Sequence, residues 1–147
     1  LASMHSDLAK LWLRQARDEA PTFLQPFFAA GLTVLFDAPK PIHRSPPFRC
    51  VDAFNISNPV CRGGITQARD ALQALRAPVV ANMMALAAQF PQVRIWDPFP
   101  LLCPGETCSA VDAGRPLYFD GDHISAYANA KLYPAFRETL RNATSSR

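Results

Sequence analysis

Asp120 and His123 stand three residues apart in the stretch Arg115-Pro-Leu-Tyr-Phe-Asp-Gly-Asp-His-Ile-Ser125. An acid and a base at this spacing, between a short apolar strand over Leu117 to Phe119 and a helix opening near Ser125, form the pair an α/β enzyme uses to move protons. The carboxylate fixes the imidazole tautomer and stabilises the imidazolium, and the imidazole takes and returns the proton. Asp-x-x-His alone is a loose pattern. Ser125 is the expected helix cap and Asp122 the expected solvated residue. Asp120, Asp122 and His123 could also be taken for a cation site, but that set lacks a second histidine.

The other chemically distinctive residues are four cysteines in two local couples, Cys50 with Cys61 and Cys103 with Cys108. Four cysteines allow three disulfide connectivities, and local pairing is the simplest because each couple closes a short loop. The rival is a four-cysteine zinc site, built from two C-x-x-C-like knuckles; Cys50 and Cys61 are too far apart for one. Disulfides place the chain outside the cytoplasm.

The elements that would position these groups alternate. Ser6 to Glu19 has a helical period, with Leu8, Leu11 and Trp12 on one face, and Pro21 is expected to interrupt it. Thr22 to Ala30 continues as a helix that Gly31 stops. Leu32 to Phe36 reads as a buried strand ending at Asp37, where open α/β sheets place their ligands. Residues 38–64 read as one long proline-rich loop tied by the first cysteine couple, with His43 and Arg44 solvated. Ile65 to Leu75 and Val79 to Phe90 read as two helices broken at Ala77-Pro78, the second turning Val80, Met83, Met84, Leu86 and Ala87 inward. Val93 to Trp96 is a strand with Asp97 at its end. The last helix carries Ala128, Leu132, Ala135 or Phe136, and Leu140 inward, and Pro134 should kink or split it. Strands separated by helices give an α/β fold, a three-layer α/β/α sandwich with a mainly parallel sheet.

With 147 residues, 49% of them hydrophobic and 18% charged, the chain is long and apolar enough for one globular domain over 1–147. A net charge of +3 without a Lys/Arg cluster gives no footprint for nucleic acid. No apolar run approaches the roughly 20 residues of a membrane span, and the N-terminus shows no signal peptide, so the chain reads as a soluble piece of something longer. Asn55 and Asn142 head glycosylation triplets too common to weigh.

Two blocks, Val93-Arg-Ile-Trp-Asp-Pro-Phe-Pro-Leu-Leu-Cys-Pro-Gly-Glu-Thr-Cys108 and Pro116-Leu-Tyr-Phe-Asp-Gly-Asp-His-Ile-Ser125, resemble the C-terminal part of an SGNH-type domain. The resemblance is to the version fused to integral-membrane acyltransferases that O-acetylate bacterial surface polysaccharides. Leu35-Phe-Asp-Ala-Pro39 and the Cys50/Cys61 couple are similar to its middle region. The resemblance implies Asp120 and His123 as the catalytic acid and base and an SGNH/flavodoxin-like sheet. It also implies a serine nucleophile in a Gly-Asp-Ser block. No Gly-Asp-Ser occurs here, so that serine and its strand are expected upstream of Leu1, leaving this fragment inactive alone; Ser3 and His5 are read as a helix start.

The implied activity is acyl transfer, chiefly of acetyl, to a cell-surface carbohydrate, or ester hydrolysis on one. The acyl donor comes through the fused membrane domain, no cofactor is used, and the setting is periplasmic, tethered to the inner membrane. The alternative is a non-catalytic extracytoplasmic module that binds a glycan or docks on a membrane partner.

Overall fold

The computed structural model describes residues 6–145, and these form a mixed α/β structure. Its backbone falls into two compact units. One takes the chain up to Pro39, then Gln73–Asp97, then Thr139 onward; the other takes Lys40–Leu72 and Pro98–Glu138.

The first unit opens with α1, Asp7–Ala29. Ser6 caps it, its hydroxyl accepting from the Ala9 amide at 3.2 Å. A Schellman turn closes it: Leu32 donates to the Phe27 carbonyl at 2.9 Å and Gly31 to that of Phe28 at 3.0 Å, with Gly31 at φ +71°. The expected break at Pro21 does not occur, and Pro21 and Pro26 both lie inside the helix. Each proline deletes one rung of the ladder, and the neighbouring rungs carry the helix past it. Leu8, Leu11 and Trp12 do share a face, but they are exposed; Ala9 and Leu24 are the buried residues.

Because Leu32 closes the turn, the following strand starts two residues later than its apolar run. β1, Val34–Asp37, pairs in parallel with β3, Val93–Trp96, from Val34 opposite Val93 to Asp37 opposite Trp96. Between them in the chain runs α3, Arg69–Gln89, unbroken at Pro78. By length and composition α3 could cross a membrane, a property hidden when Pro78 is taken as a break. Leu72, Met83 and Leu86 on it are buried, and Asn82 donates its side-chain amide to the Leu13 carbonyl of α1 at 2.7 Å. Met84, expected inward, is exposed, as is Leu140 on the last helix.

In the second unit, β2 (Thr66–Ala68) pairs antiparallel with β4 (Thr107–Ser109), placing Gln67 opposite Cys108. The sequence reads these β2 residues as helix; pairing with the distant cysteine loop overrides local propensity and delays the helix to Arg69. The 38–64 loop contains α2, Pro47–Cys50, and a single 3-10 turn over Pro59–Cys61; between them Cys50 and Cys61 are bonded. α4, Phe99–Leu102, leads to the Cys103–Cys108 bond. Leu72, Phe99, Cys103 and Cys108 form a buried cluster. With their sulfurs bonded in pairs, the cysteines leave no thiolate to ligate zinc.

β5 (Val111–Asp112) then turns tightly into β6 (Arg115–Pro116) through Ala113 and Gly114, both at positive φ (49° and 75°), as a two-residue hairpin of type I′ requires. The expected strand at Leu117 to Phe119 reduces to one bridge, Tyr118 with Ile124. The last helix, α5, Ala126–Ser145, contains Pro134 without splitting. Among the described residues, parallel pairing is confined to β1 and β3; β2/β4 and β5/β6 are antiparallel.

Candidate active site

The Asp120–His123 loop hangs from a short ladder. Leu117 donates to the Ala110 carbonyl at 2.8 Å and Ser125 to the Leu117 carbonyl at 2.9 Å, which brackets residues 118–124. Inside the bracket Phe119 donates to the His123 carbonyl at 2.8 Å. The Ser125 hydroxyl accepts from the Ala128 amide at 3.1 Å and donates to the Pro116 carbonyl at 2.7 Å, so it starts α5 and fixes the loop's exit.

Asp120 does two jobs with two oxygens. Oδ1 accepts the main-chain amides of Asp122 (3.0 Å) and His123 (2.8 Å), an Asx turn that sets the loop's shape. Oδ2 lies 2.8 Å from His123 Nδ1. With Nδ1–H donating to that carboxylate, the neutral ring presents Nε2 as its proton acceptor. The imidazole is exposed, with 78% of its side-chain surface open to solvent.

Charge follows from this geometry. The two backbone amides, then the imidazole, hold Asp120 well below the ordinary carboxylate range. The hydrogen bond to Asp120, reinforced by the charges of Asp120 and Asp122, raises the pKa of His123. Asp122 is exposed as expected, yet its Oδ1 stands 3.1 Å from His123 Nδ1, a second carboxylate on the same nitrogen. The adjacency of Asp122 to His123 in Asp-Gly-Asp-His was its only signal in the sequence.

One ligand atom from each of Asp120, Asp122 and His123 lie within 4.8 Å of one another. A cation taken at Nδ1 would displace the proton Asp120 accepts, so this arrangement fits an oriented imidazole better than a metal centre.

Behind the loop lies a feature the sequence reading missed. His43, read there as solvated, is only 3% exposed, while Arg44 beside it is exposed. The His43 ring packs edge-on against Tyr118 with centroids 4.7 Å apart. Burial pushes the imidazole down to about 4 and the Tyr118 phenol up. Neither His43 ring nitrogen nor the Tyr118 hydroxyl has a hydrogen-bond partner among the described residues. The His43 main-chain amide donates to the Gly121 carbonyl at 2.7 Å, and a Cβ built on Gly121 would sit 2.5 Å from the His43 carbonyl oxygen. Only glycine lets the two backbones approach so closely.

Residues 27–138 match the family described as the SGNH domain fused to AT3 domains. The chain belongs to that family. No curated protein and no solved structure matches it significantly. SGNH domains are usually hydrolases or acyltransferases, and the fusion to AT3 domains found in this family suggests a membrane acyltransferase partner domain and acyl transfer or hydrolysis on carbohydrate. The two disulfides agree with an extracytoplasmic setting for the SGNH domain. Among the described residues no serine hydroxyl hydrogen-bonds the His123 ring: Ser6 and Ser125 cap helices, and Ser109 bonds Val111. Ser3 and His5 lie outside the described residues.

Proposed function

We propose that this SGNH domain transfers an acyl group, chiefly acetyl, to a cell-surface polysaccharide, with His123 as general base and Asp120 as its orienting carboxylate. The observation that carries the proposal is the 2.8 Å contact from Asp120 Oδ2 to His123 Nδ1 on an exposed ring. In this scheme a serine hydroxyl attacks the acyl carbonyl and gives its proton to His123 Nε2. The donor's leaving group departs with that proton, and an acyl-serine ester remains. A sugar hydroxyl then gives its proton to Nε2 and attacks the ester, releasing the serine; water in the sugar's place gives hydrolysis. The serine belongs to a Gly-Asp-Ser block upstream of Leu1, on a further strand of an SGNH-type sheet. The donor is delivered through a fused integral-membrane acyltransferase, with the domain on the periplasmic side and tethered to the inner membrane.

A second reading, a non-catalytic glycan-binding or docking module, is favoured by one observation: no described serine reaches His123. His123→Ala in the full-length protein separates the two. The proposal expects surface acetylation to be lost while the protein still folds; unchanged acetylation refutes it.

A further inference from the structure

Beside the Asp120–His123 loop, within the same compact unit, lies an open cleft of about 540 Å³ lined by Phe48, Arg115, Pro116, Phe119, Ile124 and Tyr127, among others. Phe119 and Ile124, which line it, are the chain neighbours of Asp120 and His123, so the cleft wall and the proposed catalytic loop share one segment of chain. Its most unusual feature is a pair of exposed aromatic rings. Phe48 is 57% and Phe119 61% exposed, with centroids 5.3 Å apart and planes tilted by 38°. Two large rings kept together in water form a surface with a use rather than a core.

The rest of the lining includes a tethered polar group. The Arg115 guanidinium lies 4.2 Å from the centre of the Tyr127 ring. The Tyr127 hydroxyl donates to Asp112 at 2.7 Å, and Lys131 donates to the same carboxylate oxygen at 2.8 Å. Among the described residues, Arg115 is the one charged side chain lining the cleft, and no carboxylate lines it.

This combination selects its occupant. An acyl chain gains from burial on all sides, which an open cleft does not offer. A pyranose ring has an apolar C–H face and a rim of hydroxyls, and so matches an aromatic surface bordered by a guanidinium that can only donate. We infer that this cleft is a subsite for a sugar ring of the acceptor, which stacks on Phe48 and Phe119 and accepts hydrogen bonds from Arg115. The inference rests on the carbohydrate reading given above and extends it to named residues outside the Asp-His pair.

The test is saturation-transfer NMR on the full-length protein with methyl glycosides of glucose, galactose and glucuronic acid, and with octanoate as the acyl-chain comparator. At least one glycoside should bind. Phe48→Ala and Phe119→Ala should weaken it about tenfold or more, whereas Phe48→Tyr should hold it within about twofold, all three with an unchanged thermal midpoint. Equal glycoside binding by wild type and both alanine variants, no binding to the wild type, or octanoate binding in place of every glycoside overturns the subsite. His123→Ala keeps this outcome apart from the fate of the reaction. Lost acetylation in His123→Ala with normal sugar binding by Phe48→Ala removes the subsite and leaves the reaction. Lost sugar binding in the phenylalanine variants with normal acetylation by His123→Ala does the reverse.

Discussion

The main-chain amide of His43 donates to the carbonyl of Gly121 at 2.7 Å, and the returning His43 carbonyl lies where a Cβ on residue 121 would go. The segment around His43 is thus the bed on which the Asp120–His123 loop rests. Gln67 holds that bed from the other direction, donating its side-chain amide to the Ile42 carbonyl at 2.6 Å.

Gly121→Ala should therefore force the loop off its bed. A Cβ 2.5 Å from a backbone oxygen cannot be absorbed by a rotamer change. The expected cost is about 1–3 kcal/mol, the usual range for overpacking a fitted site. Thermal unfolding checks it, and a midpoint equal to the wild type's would show that the loop is not seated as described.

Asp120→Asn addresses the imidazole directly. The carboxylate raises the pKa of His123, so in the wild type the base form, and with it the rising limb of the pH–rate profile, appears above the ordinary imidazole value of about 6.5. Asparagine removes the charge, so the limb should move to lower pH. The plateau should fall by about 10³–10⁴-fold, because the tautomer is no longer set. NMR titration of the His123 ring reads the shift independently of rate; an unmoved titration contradicts the role given to Asp120.

His43 makes a prediction about stability. Folded, its imidazole is held down to about 4, against about 6.5 in the unfolded chain. Between those values the unfolded state binds a proton that the folded state refuses. Stability therefore falls as pH drops through this window, by roughly 3 kcal/mol in total at 1.36 kcal/mol per pKa unit. His43→Phe keeps the ring against Tyr118 and removes the proton site. Its unfolding free energy should lose less than the wild type's between pH 7 and pH 4, and equal acid sensitivity in the two proteins would contradict the buried, neutral imidazole.

Parts of this arrangement could be read from residue order, and the rest depends on contacts that order conceals. Val93–Trp96 was legible because β-branched and aromatic residues stand between Pro91 and Asp97-Pro98. Asp120 and His123 were legible because their pairing is local, closed by the Asx turn of Asp120 itself. Pro21 and Pro78 misled, since a local rule predicts breaks where the helices run on through the lost rungs. Thr66–Ala68 was opaque because its strand exists only by pairing with the Cys103–Cys108 loop. His43 was opaque for the same reason: nothing in a proline-rich loop announces that its ring will meet Tyr118.

The central claim is that His123 activates a serine. Reacting the folded full-length protein with a serine-directed fluorophosphonate, then locating the adduct by peptide mass spectrometry, tests it most directly. The account predicts a single labelled serine in a Gly-Asp-Ser block, with labelling abolished in His123→Ala. Equal labelling of the two proteins, or none in the wild type, would contradict it.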